Sequence, residues 1–114
     1  MQMYKSIWKK IMQKPSRIDL LKRAIEYTDG DRRTDYGSPI ENHEHIAMIF
    51  NSITGKRLTA KDIALVQVAT KLARMTSSPK KDDHYIDAMA YIGIAYECEE
   101  NVRRDGGRYF YEDK

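Results

Sequence analysis

The chain has 114 residues, 20 basic and 17 acidic side chains for a net charge of +3, and one cysteine, Cys98. That length holds a single domain with a modest core, and the composition excludes an internal disulfide. No apolar run approaches the ~20 residues that span a bilayer, and so small a charge excess does not by itself imply a nucleic-acid partner.

No stretch alternates with the period of two that marks a half-buried strand, so every element reads as helix. Residues 1–15 form a basic amphipathic arm, "MQMYKSIWKKIMQK" closed by Pro15. Met3, Ile7 and Ile11 share one stripe, and Lys5, Lys9, Lys10 and Lys14 sit mostly elsewhere. Such an arm packs on its own domain or on a second subunit. No apolar leader core follows the basic start, and a lone cysteine fits a reducing cytoplasm.

The bundle domain is expected over residues 16–104. Its first helix, residues 16–28, opens on Ser16 with Asp19 three residues on, a capping-box spacing. Ile18, Leu21 and Ile25 make its apolar stripe, with Leu20, Ala24 and Tyr27 alongside. The stretch "DGDRRTDYGSP" is a loop by composition, and polar loops of this kind often carry function. Ser38 is the expected N-cap of a second helix over 39–54, with Pro39 at its first position and Glu41 three residues after the cap. Ile46, Ile49, Phe50 and Ile53 are expected to face the core. Thr59 and Asp62 repeat the capping-box spacing ahead of a third helix, which runs to about Met75. A turn at "SSPKK" leads to a fourth, from near Lys81 to near Arg104. Residues 105–114 form an aromatic tail.

Three sets of polar residues could carry chemistry. Glu41 and Glu44, at i and i+3, share a face and can offer oxygen ligands to one divalent cation. Gln67, Lys71 and Arg74 form a polar stripe on an otherwise apolar helix, either a solvated face or the lining of an anion site. Asp83 and Asp87 lie one turn apart on the fourth helix, with Tyr91 a further turn on. Asp87 is set among Ile86, Ala88, Met89 and Ala90. A carboxylate in such surroundings needs a partner. Either it shares a divalent cation, or it pairs directly with Lys71, Arg74, Arg32 or Arg33. Oxygen-only ligands suit Mg²⁺ or Mn²⁺ rather than zinc, and Mg²⁺ beside a Lys/Arg pair suits phosphate. His43, His45 and His84 form no zinc motif.

The segments "TDYGSPIENHEHIAMIF", "LTAKDIALVQVATKLARM" and "KDDHYIDAMAYIGIA" resemble a family of small phage and prophage proteins classed as a domain of unknown function. The resemblance runs from about Arg17 to Glu99. It marks Asp35, Tyr36, Gly37, Pro39, Asn42, Asp62, Lys71, Arg74, Asp82, Asp83, Asp87 and Tyr91. A more distant likeness is to the MazG-like all-helical nucleotide pyrophosphohydrolases, which hold Mg²⁺ through Glu-x-x-Glu and a later Glu-x-x-Asp. Glu41-x-x-Glu44 fits the first half, and Asp83-x-x-x-Asp87 departs from the second.

These resemblances imply an all-α four-helix bundle, MazG-like and oligomeric, in the host cytoplasm. They imply a Mg²⁺-dependent nucleotide-phosphate hydrolase, or a relative that keeps its pocket. Glu41, Glu44, Asp83 and Asp87 would hold metal, with Glu44 and Asp87 the catalytic carboxylates and one of them activating water. Lys71 and Arg74 would bind phosphate, and Asp35, Tyr36, Asn42 and Tyr91 the rest of the nucleotide. A rival expectation is a phage accessory factor without turnover, binding a host protein or a nucleotide signal. A third assigns nucleic-acid binding to the Lys-rich arm, with steep salt dependence.

Overall fold

The computed structural model describes residues 14–29 and 37–104, the side chains of 101–104 excepted. Residues 1–13 of the arm, the loop at 30–36 and the tail at 105–114 lie outside the described residues. Four helices follow in order: α1 (Arg17–Asp29), α2 (Pro39–Thr54), α3 (Ala60–Ser77) and α4 (Asp82–Arg104). The described residues contain no strand. The expected helices agree with these bounds to within two residues.

Local chemistry explains where the helices begin and end. At α1, the Ser16 amide donates to Asp19 Oδ2 at 2.9 Å and the Asp19 amide to Ser16 Oγ at 3.2 Å. The Ser16 amide also holds the Asp19 carboxyl below its usual pKa, with the Ser16 hydroxyl adding to the effect. At α3, the Thr59 amide donates to Asp62 Oδ2 at 2.9 Å, and the Asp62 amide to Thr59 Oγ1 at 3.1 Å. Both capping boxes are therefore formed. Ser38 occupies the N-cap position of α2 but its side chain makes no capping bond. Pro39 takes over much of that task, because its fixed φ suits the first turn and it has no amide hydrogen to satisfy.

Gly55 ends α2 at φ 74°, and its amide donates to the Asn51 carbonyl at 2.9 Å. A left-handed residue here is the usual helix stop, and glycine adopts it without a Cβ penalty. The Asn51 side chain then holds the link to α3. Its amide donates to the Leu58 carbonyl, and its carbonyl accepts from the Leu58 amide, both at 2.9 Å.

α3 and α4 form the central antiparallel pair. Their seam joins Ala60, Ala64 and Val68 to Tyr91, Ile94, Ala95 and Cys98, with Ile40 of α2 at its edge. Small residues on both sides let the helices approach closely. α1 packs on α4 through Ala24, Ile86 and Ala90, with Leu20, Tyr27 and Met89 around them. α2 packs mainly on α3, and only lightly on α4.

Two expected faces turn out differently. α2 buries His43 and Ala47, while Ile49 and Phe50 are exposed and Ile53 is 79 % exposed. α1 buries Ala24 and leaves Ile18, Leu21 and Ile25 in the open. In each case an alanine lies at the buried contact, joined by His43 on α2, and much of the larger apolar stripe lies to one side. A single chain of this size has too few elements to cover every stripe. No described helix is long and apolar enough to cross a membrane.

Candidate functional site

The N-terminal half of α2, the C-terminal end of α1 and the middles of α3 and α4 enclose a cavity of about 270 Å³. Tyr27, Thr28, Asn42, His43, Gln67 and Tyr91 supply its polar and aromatic lining, and Pro39, Ile46 and Ile94 its apolar part. This volume lies just below the roughly 300–1,000 Å³ found for small-molecule pockets.

The wall is built from the first turn of α2 inward. His43 Nδ1–H donates to the Pro39 carbonyl at 2.7 Å. That bond makes Nε2 the acceptor, and the Gln67 amide donates to it at 3.1 Å. The imidazole thus ties α2 to α3 while lying only 3 % exposed. Its ring stands 6.0 Å from that of Tyr91 at a tilt of 59°, within the range of favourable aromatic pairs. Gly37 has a φ of 78°, a left-handed conformation that glycine adopts without a Cβ penalty, and it also lines the cavity. The loop residues Asp35 and Tyr36 themselves lie outside the described residues.

The expected carboxylate set is not gathered in one place. Lys71 Nζ meets Asp87 Oδ2 at 2.9 Å across the α3–α4 seam. Of the two partners open to Asp87, the structure shows the direct ion pair. Glu44, half-buried, stands close enough to Cys98 for its charge to act on that thiol. Glu41 and Asp83 are exposed. Among the described residues, no three His, Cys, Asp or Glu side chains are grouped to hold a metal. The expected ligand set for Mg²⁺ or Mn²⁺ is not grouped among the described residues, and Asp87 meets Lys71.

The polar stripe of α3 also divides. Gln67 reaches His43, Lys71 reaches Asp87, and Arg74 stays exposed near the helix end. Of the expected nucleotide contacts, Asn42 and Tyr91 do meet at the cavity. His43, Tyr27 and Thr28 were not among the expected site residues. The signal for His43 was its place four residues from both Pro39 and Ala47, which puts it on the inner face of α2.

The family described as Domain of unknown function (DUF6378) matches residues 19–99. The Gene 55 protein of Mycobacterium phage L5 is 32 % identical over 78 residues, which are 68 % of this chain and 50 % of the phage protein. The Gene 55 protein of Mycobacterium phage D29 is 30 % identical over 74 residues, 65 % of this chain and 49 % of that protein. The chain spans about half the length of these curated relatives. No solved structure matches it. The cavity residues and the Lys71–Asp87 pair all fall inside the matched span, and the chain belongs to the DUF6378 family.

Proposed function

We propose that the protein binds a nucleotide or nucleotide-like small molecule, with the base in the cavity between α1, α2, α3 and α4. The carrying observation is the convergence of Tyr27, Asn42, His43, Gln67 and Tyr91 on one partly apolar pocket. Aromatic walls give a flat heterocycle a stacking surface, worth roughly 1–3 kcal/mol per base. The Asn and Gln amides offer donor and acceptor groups of the kind that read base edges. Arg74 lies seven residues beyond Gln67 on the same face of α3, about 10 Å along the axis. That is a reach suited to a phosphate tail.

Binding without turnover is favoured over hydrolysis, because the candidate carboxylates are not grouped among the described residues and Asp87 neutralises Lys71. The MazG-like likeness supports the nucleotide class of ligand and carries no step of chemistry here.

Calorimetric titration of the full chain with nucleosides and with nucleoside mono- and triphosphates tests the proposal, with and without Mg²⁺. Expected are saturable binding, at least tenfold weaker binding in Asn42→Ala, and no pyrophosphate release. Asn42 is exposed on the pocket rim, so its loss leaves the core unchanged. If no nucleoside or nucleotide binds, the assignment is wrong. Pyrophosphate release that needs Mg²⁺ or Mn²⁺ and vanishes in Glu44→Gln would replace it with the hydrolase.

A further inference from the structure

A carbonyl oxygen can only accept a hydrogen bond, so the 2.7 Å contact with Pro39 places a hydrogen on His43 Nδ1. An amide nitrogen can only donate, so the 3.1 Å contact with Gln67 Nε2 needs a bare Nε2 on the imidazole. Together the two contacts allow one state of the ring: neutral, with its hydrogen on Nδ1. Pro39 is fixed in the first turn of α2, and His43, 3 % exposed, is closed in on all sides.

The imidazole in turn fixes the Gln67 side chain. Turning its amide over would set the Gln67 oxygen against the lone pair of His43 Nε2, two acceptors facing each other. The amide nitrogen therefore stays at the imidazole, and the oxygen stays on the other branch. That oxygen accepts no hydrogen bond from a described residue. Among the described residues no side-chain oxygen or nitrogen is both buried and without a partner, so the Gln67 oxygen is open to solvent. Gln67 lines the cavity beside His43. The α3 side of the cavity thus carries a hydrogen-bond acceptor whose position the imidazole sets.

On the reading that a nucleobase fills this cavity, we infer that Gln67 selects an amino-bearing base and that His43 is its positioning residue. The exocyclic amino group of cytosine, adenine or guanine donates to the Gln67 oxygen. The oxo group of uracil or hypoxanthine in the same place brings two acceptors together and leaves both unpaired. An unrestrained amide turns over and suits either group, so Gln67 without His43 does not discriminate. The bond to the imidazole removes that freedom. A site built around a hydrogen bond rejects an analogue that cannot make it. The ring N–H of uracil is a poorer donor here, because a carbonyl flanks it on each side and crowds the same oxygen.

Calorimetric titration of the full chain with cytidine against uridine, and with adenosine and guanosine against inosine, tests the selection. In at least one pair the amino-bearing nucleoside is expected to bind roughly tenfold tighter or more. His43→Leu is expected to bring that ratio below about threefold without weakening the oxo nucleoside. His43→Gln, whose side-chain oxygen can accept from Gln67 in place of Nε2, is expected to restore much of it. Nitrogen NMR of the wild-type imidazole needs no ligand, and is expected to show a hydrogen on Nδ1 and none on Nε2. Equal affinities in every pair, tighter binding of the oxo nucleosides, or a hydrogen on Nε2 would overturn the inference and leave the nucleotide reading standing. Failure of every nucleoside to bind would overturn both.

Discussion

Lys71 and Asp87 join α3 to α4 with 2.9 Å between Nζ and Oδ2, and their side chains are only 17 % and 16 % exposed. This pair accounts for a carboxylate set among isoleucines and alanines. It also accounts for a lysine on a helix that is apolar over most of its circumference. Each charge makes the other tolerable, and together they pin the register of the two central helices. Removing one partner leaves the other partly buried without its counter-charge, which is more costly than removing both. Asp87→Asn is expected to destabilise the fold by about 1–3 kcal/mol in urea titration, whether or not Mg²⁺ is present. Lys71→Met with Asp87→Leu is expected to recover most of the loss. A Mg²⁺-dependent difference between wild type and Asp87→Asn would mean that Asp87 serves a cation instead.

The two threonine and serine caps that look alike in sequence are expected to behave differently. Thr59 accepts the Asp62 amide at 3.1 Å, whereas the Ser38 side chain makes no capping bond. Thr59→Ala therefore removes an actual hydrogen bond at the start of α3 and is expected to cost about 1–2 kcal/mol. Ser38→Ala removes none and is expected to change stability by less than about 0.5 kcal/mol. Urea midpoints of the two variants at equal m-value check this directly.

How much of this was legible from residues alone depends on range. The capping boxes at Ser16/Asp19 and Thr59/Asp62 are set within four residues, so their spacing identifies them. The four helices follow from apolar periodicity and from Pro and Gly punctuation. Which stripe faces inward is a tertiary question. Ile49 and Ile53 have the correct spacing for a buried face, yet Ala47 and His43 make the contact. Periodicity finds an apolar face without saying whether this chain or another covers it. The cavity was half legible. Asn42 and Tyr91 were marked by family resemblance, but the bond from Gln67 to His43 spans 24 residues and exists only once α2 lies on α3. Asp87 needed a partner on physical grounds, and the choice between a cation and Lys71 required coordinates.

Gly55 offers a test of backbone strain alone. It sits at φ 74°, and a Cβ built on it would meet nothing within 4 Å. Gly55→Ala therefore creates no clash, and any loss comes from forcing an L-residue into the left-handed region. A cost of about 1–2 kcal/mol is expected, with no change in helix content. An unchanged or higher melting temperature would show that α2 ends by another geometry.

Cys98 is 1 % exposed on α4, facing the α3 seam. Burial raises its thiol pKa to about 11 from the ordinary 9.0, and the nearby charges of Glu44 and Glu97 push the same way. The thiolate is the reactive form, so the native protein is expected to resist alkylation at pH 8 and to react fully in denaturant. The same shift has a consequence for stability. The unfolded thiol ionises near pH 9 and the native one only near 11, so between these values the unfolded state binds fewer protons. The contribution is fully present below pH 9 and is lost as pH rises toward 11. Lysines and tyrosines titrate in the same range, so the comparison must be with Cys98→Ala. The stability gap between wild type and Cys98→Ala, measured by urea titration, is expected to shrink steadily from pH 8.5 to 10.5. A gap independent of pH, or rapid alkylation of the folded chain, would place the thiol outside the seam.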